Sequence, residues 1–173
     1  MRRVSVVGNA GSGKTTLAKA LAARLRVQHV ELDAIFHQPN WTPLPTDEFR
    51  RQVADAVAGD GWVVDGNYSS VRDLVWQRAD TVVWLDLSRP TVMWRLVART
   101  LRRIATGEEL WNENREQWRY LFRRDESIIA WAWTQHAKYH HRYAAAAADP
   151  AYGHLTFVRL GSGAEIDQFL RSI

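Results

Sequence analysis

The sequence predicts an α/β fold of three layers, a five-stranded parallel sheet with helices on both faces, and three observations carry that expectation. Short, nearly continuous apolar runs rich in valine alternate with segments of helical period. A glycine-rich loop joins the first run directly to the first helix. Capping and turn signals separate the remaining pairs. At 173 residues the chain fits one domain, residues 1–173, large enough to keep a core without staples.

The elements follow in order. Val4 to Val7 reads as the first strand, and Lys14 to Leu25 as a helix with Leu17, Ala20, Leu21 and Leu25 on one stripe. His29 to Leu32 is a second strand that ends at Asp33. The proline-rich HQPNWTPLP then reads as a loop, before a helix that Thr46 would cap with Asp47 and Glu48 in its first turn. Gly61 and Gly66 bracket WVVD, the third strand. Ser70 and Asp73 have capping-box spacing for a helix to Gln77, and Thr81 to Leu85 is the fourth strand. From Pro90 a helix runs to Ile104 and breaks at Thr106 and Gly107. Two further helical stretches lead to the alanines 144–148, then a fifth strand over His154 to Val158. A final helix is opened by Ser162 and Glu165, again at capping-box spacing.

Composition excludes several classes of function. There is no cysteine, so neither disulfides nor thiolate metal sites are available, which suits a reducing cytoplasm. The apolar run after MRR is too short for a signal peptide, and nowhere do about eighteen apolar residues stand together, so a soluble protein is expected. The net charge of +4 is local: residues 88–124 hold nine arginines against four glutamates. A positive field confined to one segment argues for a phosphate clamp and against a duplex-binding face.

The loop after the first strand carries the chemistry. Gly8, Asn9, Ala10, Gly11, Ser12, Gly13, Lys14 and Thr15, with Thr16 behind them, match G-x-x-x-x-G-K-[ST] between a strand and a helix. Glycines there let successive backbone N–H groups converge on an anion. Lys14 then reaches the β- and γ-phosphates of ATP, and the Thr15 hydroxyl binds Mg2+. Only three lysines stand against twenty arginines, so a lysine where a compact point charge is needed is not incidental. Asp65, at the carboxyl end of WVVD, is a candidate second magnesium-shell residue or a cap on the turn at Gly66 and Asn67; Asp86 ranks below it. Asp33 is a candidate base for a hydroxyl acceptor, a second magnesium-shell residue or a loop cap. Phe36, His37 and Trp41, in a loop stiffened by proline, wall a small ring-shaped acceptor or cover the core.

Four stretches, GNAGSGKTT, ELDAIFHQPNW, WVVDGNYSSVRD and RADTVVWLDLSRP, together resemble the FlaR-type branch of P-loop kinases, usually labelled adenylate-kinase-related or DNA topology modulation proteins. The resemblance is strongest from residue 4 to about 103. It implies a nucleoside-monophosphate-kinase-like core, an acceptor-binding region at 34–60 and a helical lid at 104–148. It also implies Asp65 as the magnesium-shell aspartate. DGNY stands where adenylate kinases carry Asp-Gly-Phe-Pro-Arg, which sets Asn67, Tyr68 and, as the next arginine, Arg72 on the acceptor side.

Arg95, Arg99 and Arg102 or Arg103 share one helical face, with Met93, Val97, Leu101 and Ile104 forming an apolar stripe elsewhere. Arg99, Arg103 and, across the lid, Arg123 with Arg124 are candidates to neutralise a transferring phosphoryl group, or else solvated arginines paired with Glu108, Glu109, Glu113 or Glu116. Trp111, Trp118, Trp131 and Trp133 read as packing between lid helices or as a stacking platform. His136, His140 and His141 lack the glutamate of a metal motif and read as a surface helix. Gly161 to Gly163 would lie against the donor's adenine or only cap the last helix. The expected function is ATP- and Mg2+-dependent transfer of the γ-phosphoryl group to a small acceptor: a nucleotide, nucleoside or hydroxylated metabolite. The alternative is a slow ATPase acting as a nucleotide-gated or DNA-associated module.

Overall fold

The computed structural model describes residues 1–107, 110–114 and 128–173. Five parallel strands form one sheet: β1 (Arg3–Gly8), β2 (Gln28–Glu31), β5 (Trp62–Asp65), β6 (Thr81–Leu85) and β7 (Thr156–Leu160), in the order β2-β5-β1-β6-β7. β3 (His37–Gln38) and β4 (Thr42–Pro43) make a small separate hairpin. The helices are α1 (Lys14–Leu25), α2 (Leu32–Phe36), α3 (Thr46–Ala56), α4 (Arg72–Arg78), α5 (Arg89–Thr106), α6 (Ile128–Ala148) and α7 (Gly163–Arg171). The α/β class, the five parallel strands and the covered faces are as the sequence predicts.

Side-chain alternation along the strands divides the core in two. Val4 and Val6 of β1, Val63 of β5 and Val83 of β6 point to one face, where Leu17, Ala18 and Leu21 of α1 and the half-buried Ile166 and Phe169 of α7 cover them. Val7, Val64, Val82 and Trp84 point to the other, under Phe49 and Val53 of α3, Val75 and Trp76 of α4, and Tyr143 of α6. Parallel strands enclosed on both faces put every strand's carboxyl end on one rim.

The local expectations fail where a distant partner intervenes. The second strand ends at Glu31, and Asp33 falls inside α2, because Leu32 turns into the core at 3% exposure. The proline-rich segment holds the β3–β4 hairpin and a 3-10 turn at Pro39–Trp41. Thr46 begins α3 without capping it; Pro45 occupies the cap. Ser70 and Asp73 form no capping box. Instead Arg50 of α3 donates to Asp73 at 2.8 and 2.7 Å and to the Ser70 carbonyl, joining α3 to α4. On α5 the buried residues are Val92, Leu96 and Thr100; Leu101 is exposed, and Met93 and Val97 are half-buried. The last strand starts two residues late. The Ser162–Glu165 box forms, with Glu165 N donating to Ser162 Oγ at 3.2 Å and Gly161 N to Glu165 Oε2 at 2.8 Å.

Asp80 pins the start of the sheet. Its Oδ2 accepts the N–H groups of Arg2 and Arg3 at 2.8 and 2.9 Å, and its Oδ1 accepts the Thr81 hydroxyl at 2.7 Å. Burial alone would raise the carboxyl, but the Arg3 and Arg2 N–H groups and the Thr81 hydroxyl together hold it below the ordinary carboxylate value. A depressed folded value contributes stability that is complete above the unfolded value near ~3.9 and is lost as pH falls through the folded one. Asp80→Asn is therefore expected to lower the unfolding free energy by about 1–2 kcal/mol at pH 7. Urea unfolding at pH 7 and pH 3 should show that difference shrinking at the lower pH.

Candidate active site

The turn from β1 into α1 is built on left-handed glycines. Gly8, Gly11 and Gly13 have φ of 147°, 81° and 94°. A Cβ on Gly8 would lie 2.7 Å from the Leu85 carbonyl oxygen, and one on Gly11 would lie 2.7 Å from the Val92 carbonyl oxygen and 2.9 Å from Leu96 Cβ. The loop is thus seated on β6 and on the buried Val92–Leu96 face of α5. Two side-chain amides fix its course. Asn67 accepts the Gly8 N–H at 3.2 Å and donates to the Gly8 carbonyl, while Tyr143 donates to the same Asn67 oxygen at 3.0 Å. Asn9 donates to the Ala132 carbonyl of α6 at 2.8 Å and accepts the Ala10 N–H at 2.9 Å. Ser12 N donates to Asn9 O at 3.1 Å, closing the turn. Thr16 follows, exposed, in the first turn of α1.

Charged groups gather around this loop. Lys14 Nζ donates to the Asn9 carbonyl at 3.0 Å. Burial lowers its pKa, Asp33 and Asp65 work to raise it, and Arg99 lowers it further. Thr15 Oγ1 donates to Asp65 Oδ2 at 2.6 Å and lies 3.4 Å from Glu31 Oε1. Asp65, 3% exposed at the end of β5, also has His29 Nε2 at 2.9 Å from Oδ1. The structure thus brings Lys14, Thr15, Asp65 and Asp33 into one electrostatic neighbourhood on the carboxyl rim.

Asp33 is reached from the other side of that neighbourhood. Tyr68 donates its hydroxyl to Asp33 Oδ1 at 2.6 Å and stands 3.4 Å from His37 Nε2. Burial foremost, then the Asp33 charge and this hydrogen bond, push the Tyr68 phenol far up, so it stays protonated as a donor. Burial holds His37 below its ordinary value against the pull of Asp33. Phe36 packs on Tyr68 and Phe49 with centroids 4.7 and 5.1 Å apart, and Trp41 meets His37 edge-on at 5.2 Å.

The segment after α5 closes on the β3–β4 hairpin. Asn114, 4% exposed, accepts the Trp41 N–H at 2.8 Å and donates to the Gln38 carbonyl at 3.0 Å, and Asn112 donates to the His37 carbonyl. Trp111 stacks on His37 at 6.0 Å, so among the described residues it packs on the hairpin.

Other candidates have different neighbours. Arg72 lies over the Trp76 ring at 5.4 Å. Arg95 Nη1 lies 3.5 Å from the Ser12 carbonyl oxygen, between the glycine loop and Gly163. Arg99 acts on Lys14, and Arg103 is half-buried one turn further on. Arg123, Arg124 and Trp118 lie outside the described residues. Trp133 carries Arg89 over its ring at 4.9 Å. His140 Nδ1 lies 3.0 Å from both Asp86 oxygens, Arg159 Nε donates to Asp86 Oδ2 at 2.8 Å, and His136 Nε2 lies 2.9 Å from the Leu87 carbonyl oxygen. Among the described residues no three histidine or carboxylate side chains are arranged to hold a metal by themselves. The sequence reading overlooked His29 and Glu31. The signal was present: positions 29 and 31 alternate onto one side of the strand that leads to Asp33.

No protein-family model matches the chain. It is similar to a shikimate kinase of Sulfurihydrogenibium sp. (strain YO3AOP1), 31% identical over 113 residues that cover 56% of this chain and 67% of that protein. Its fold is shared with a gluconokinase from Sinorhizobium meliloti 1021, with TM-score 0.54, 18% identity and coverage of 98% of this chain and 87% of the other. The same holds for a shikimate kinase from Acinetobacter baumannii in complex with shikimate, with TM-score 0.57, 15% identity and coverage of 99% and 90%.

Gly11→Ala tests the seating of the loop. A side chain at that φ, aimed into α5, is expected to cost about 1–3 kcal/mol and to weaken ADP binding at least tenfold. Thermal unfolding and titration with a fluorescent ADP analogue report the two effects.

Proposed function

Because the chain belongs to the shikimate kinase-like family of P-loop kinases, we propose that it transfers the γ-phosphoryl group of ATP to a hydroxyl of a small hydroxylated metabolite. Its narrower place in the FlaR-type branch is also our reading, supported by the DGNY and ELDAIFHQPNW stretches. The relatives are named for kinases of shikimate and gluconate, and that chemistry is carried here as a proposal. The single observation that carries it is Asp33: a carboxylate steadied by Tyr68, with its charge felt at Lys14 beside the glycine loop.

The donor would lie with its phosphates in the loop of residues 8–15, against the N–H groups left over once those of Gly8, Ala10 and Ser12 are engaged within the protein, and Lys14 would balance charge on the β- and γ-phosphates. An all-oxygen donor set, the Thr15 hydroxyl with Asp65 and Glu31 close by, suits a hard cation such as Mg2+. When bound, Mg2+ supplies charge neutralisation across the β- and γ-phosphates. In the transfer, the acceptor hydroxyl oxygen bonds to the γ-phosphorus as the bond to the β-phosphate oxygen breaks. The hydroxyl proton passes to Asp33 and ADP departs. Tyr68 holds Asp33 in the orientation that accepts that proton.

Residues 34–60 form the acceptor region in this reading, with Phe36 and Trp41 as walls and Tyr68 and Arg72 at its border; Asn67 serves through Gly8. Residues 104–148 form the lid in this reading, and Arg99 and Arg103 ahead of it with Arg123 within it would neutralise the phosphoryl group. Use of ATP and a sequence without cysteine support a cytoplasmic setting in this reading. No described helix is long and apolar enough to cross a membrane.

Asp33→Asn should lower kcat by about 10²- to 10⁴-fold with little change in the KM for ATP. Lys14→Ala should abolish transfer while circular dichroism shows the fold retained. ADP release over a panel of polyols, hydroxy acids, nucleosides and nucleoside monophosphates reads both. An unimpaired Asp33→Asn enzyme that prefers a monophosphate would overturn the hydroxyl reading.

A further inference from the structure

Asp65 has both carboxylate oxygens engaged inside the protein. Thr15 Oγ1 donates to Oδ2 at 2.6 Å, and His29 Nε2 lies 2.9 Å from Oδ1. An ionised carboxylate only accepts, so the ring donates through Nε2–H. His29 stands on β2 two residues before Glu31, whose own register partner on β5 is Asp65. The strand pairing therefore delivers one imidazole and two carboxylates to the same rim, and the imidazole is separated from Thr15 by the Asp65 carboxylate.

From this geometry we infer that His29 is a positioning residue of the divalent-cation site. The inference rests on the reading of Thr15 and Asp65 given above. The carboxylate torsion of an aspartate is broad and nearly two-fold, so one donor leaves it free to swing. A second donor on the opposite oxygen selects one orientation. With Oδ1 tied to His29, Oδ2 stays on the Thr15 proton, and the lone pairs of the Thr15 oxygen remain turned to the phosphate side. Loss of the imidazole leaves a buried carboxylate oxygen without its partner, and the Asp65 group turns to find another. Among the described residues the hydrogen-bond partner of the His29 ring is Asp65, so His29 acts through Asp65.

The cation has no self-sufficient cluster among the described residues, so its binding requires nucleotide oxygens and is measured with ADP present. Mn2+ affinity in saturating ADP, by electron paramagnetic resonance, and ADP affinity in EDTA are compared for the wild type, His29→Ala, His29→Gln and Asp65→Asn. His29→Ala is expected to weaken Mn2+ about 10- to 100-fold and to leave ADP affinity in EDTA within about twofold. His29→Gln, which keeps an N–H donor, is expected to recover most of the loss. Should His29→Ala fail to fold, His29→Met fills the space without a donor and takes its place. The inference is overturned if the donorless variant binds Mn2+ like the wild type, if its ADP affinity in EDTA falls by the same factor, or if the glutamine variant recovers nothing. Asp65→Asn separates the two readings: normal Mn2+ affinity in that variant removes the cation site itself, whereas a loss there beside an unaffected His29→Ala removes only the role of His29.

Discussion

Residues 8 and 11 have no room for a Cβ, and that constraint orders the rest of the molecule. Main chain or side chain from β6 and α5 occupies the space that a side chain would need at either position. The loop is consequently shaped by what leans on it as much as by its own torsions. Asn67 grips both polar groups of Gly8, and Asn9 ties the next residue to α6. Strand, loop and three helices are thereby referred to a single stretch of backbone, whose Gly8, Ala10 and Ser12 N–H groups are themselves engaged inside the protein.

Electrostatics follow from that placement. Lys14 is withdrawn from water and would be costly were it alone, yet Asp33 and Asp65 act on it from the ends of two neighbouring elements, while Arg99 opposes them. Burial, two carboxylates and a guanidinium thus act together on one ammonium group. Such an arrangement suits a site that must receive a strongly negative ligand and give it back.

Much of this was legible in the sequence, and the remainder has a common cause. The glycine loop, Thr15, Lys14 and Asp65 are local signals, since a strand end and a helix start fix their positions to within a residue. The five strands were equally legible because near-continuous apolar runs have few other uses. What was misread depended on partners far along the chain. Asp73 fits a cap until Arg50, 23 residues earlier, claims both its oxygens. The buried Val92–Leu96 face of α5 packs against Gly11, more than eighty residues earlier, a partner that spacing within the helix does not reveal. Asn67 stands on the acceptor side by resemblance, and the tertiary structure adds that its amide bonds both polar groups of Gly8. Asp33 moved from strand end to helix because Leu32 is the better core residue, a choice between neighbours that periodicity does not resolve.

The docking of the segment 110–114 on the hairpin has an optical side. Trp41 and Trp111 lie 6.4 Å apart, each against the ring of His37. Indole emission is sensitive to a neighbouring imidazole and to water, and this pair would meet both changes together if the segment left the hairpin. The protein therefore has an intrinsic fluorophore pair at a seam where described residues of the segment following α5 meet the β3–β4 hairpin. Spectroscopy can watch that seam without any attached label.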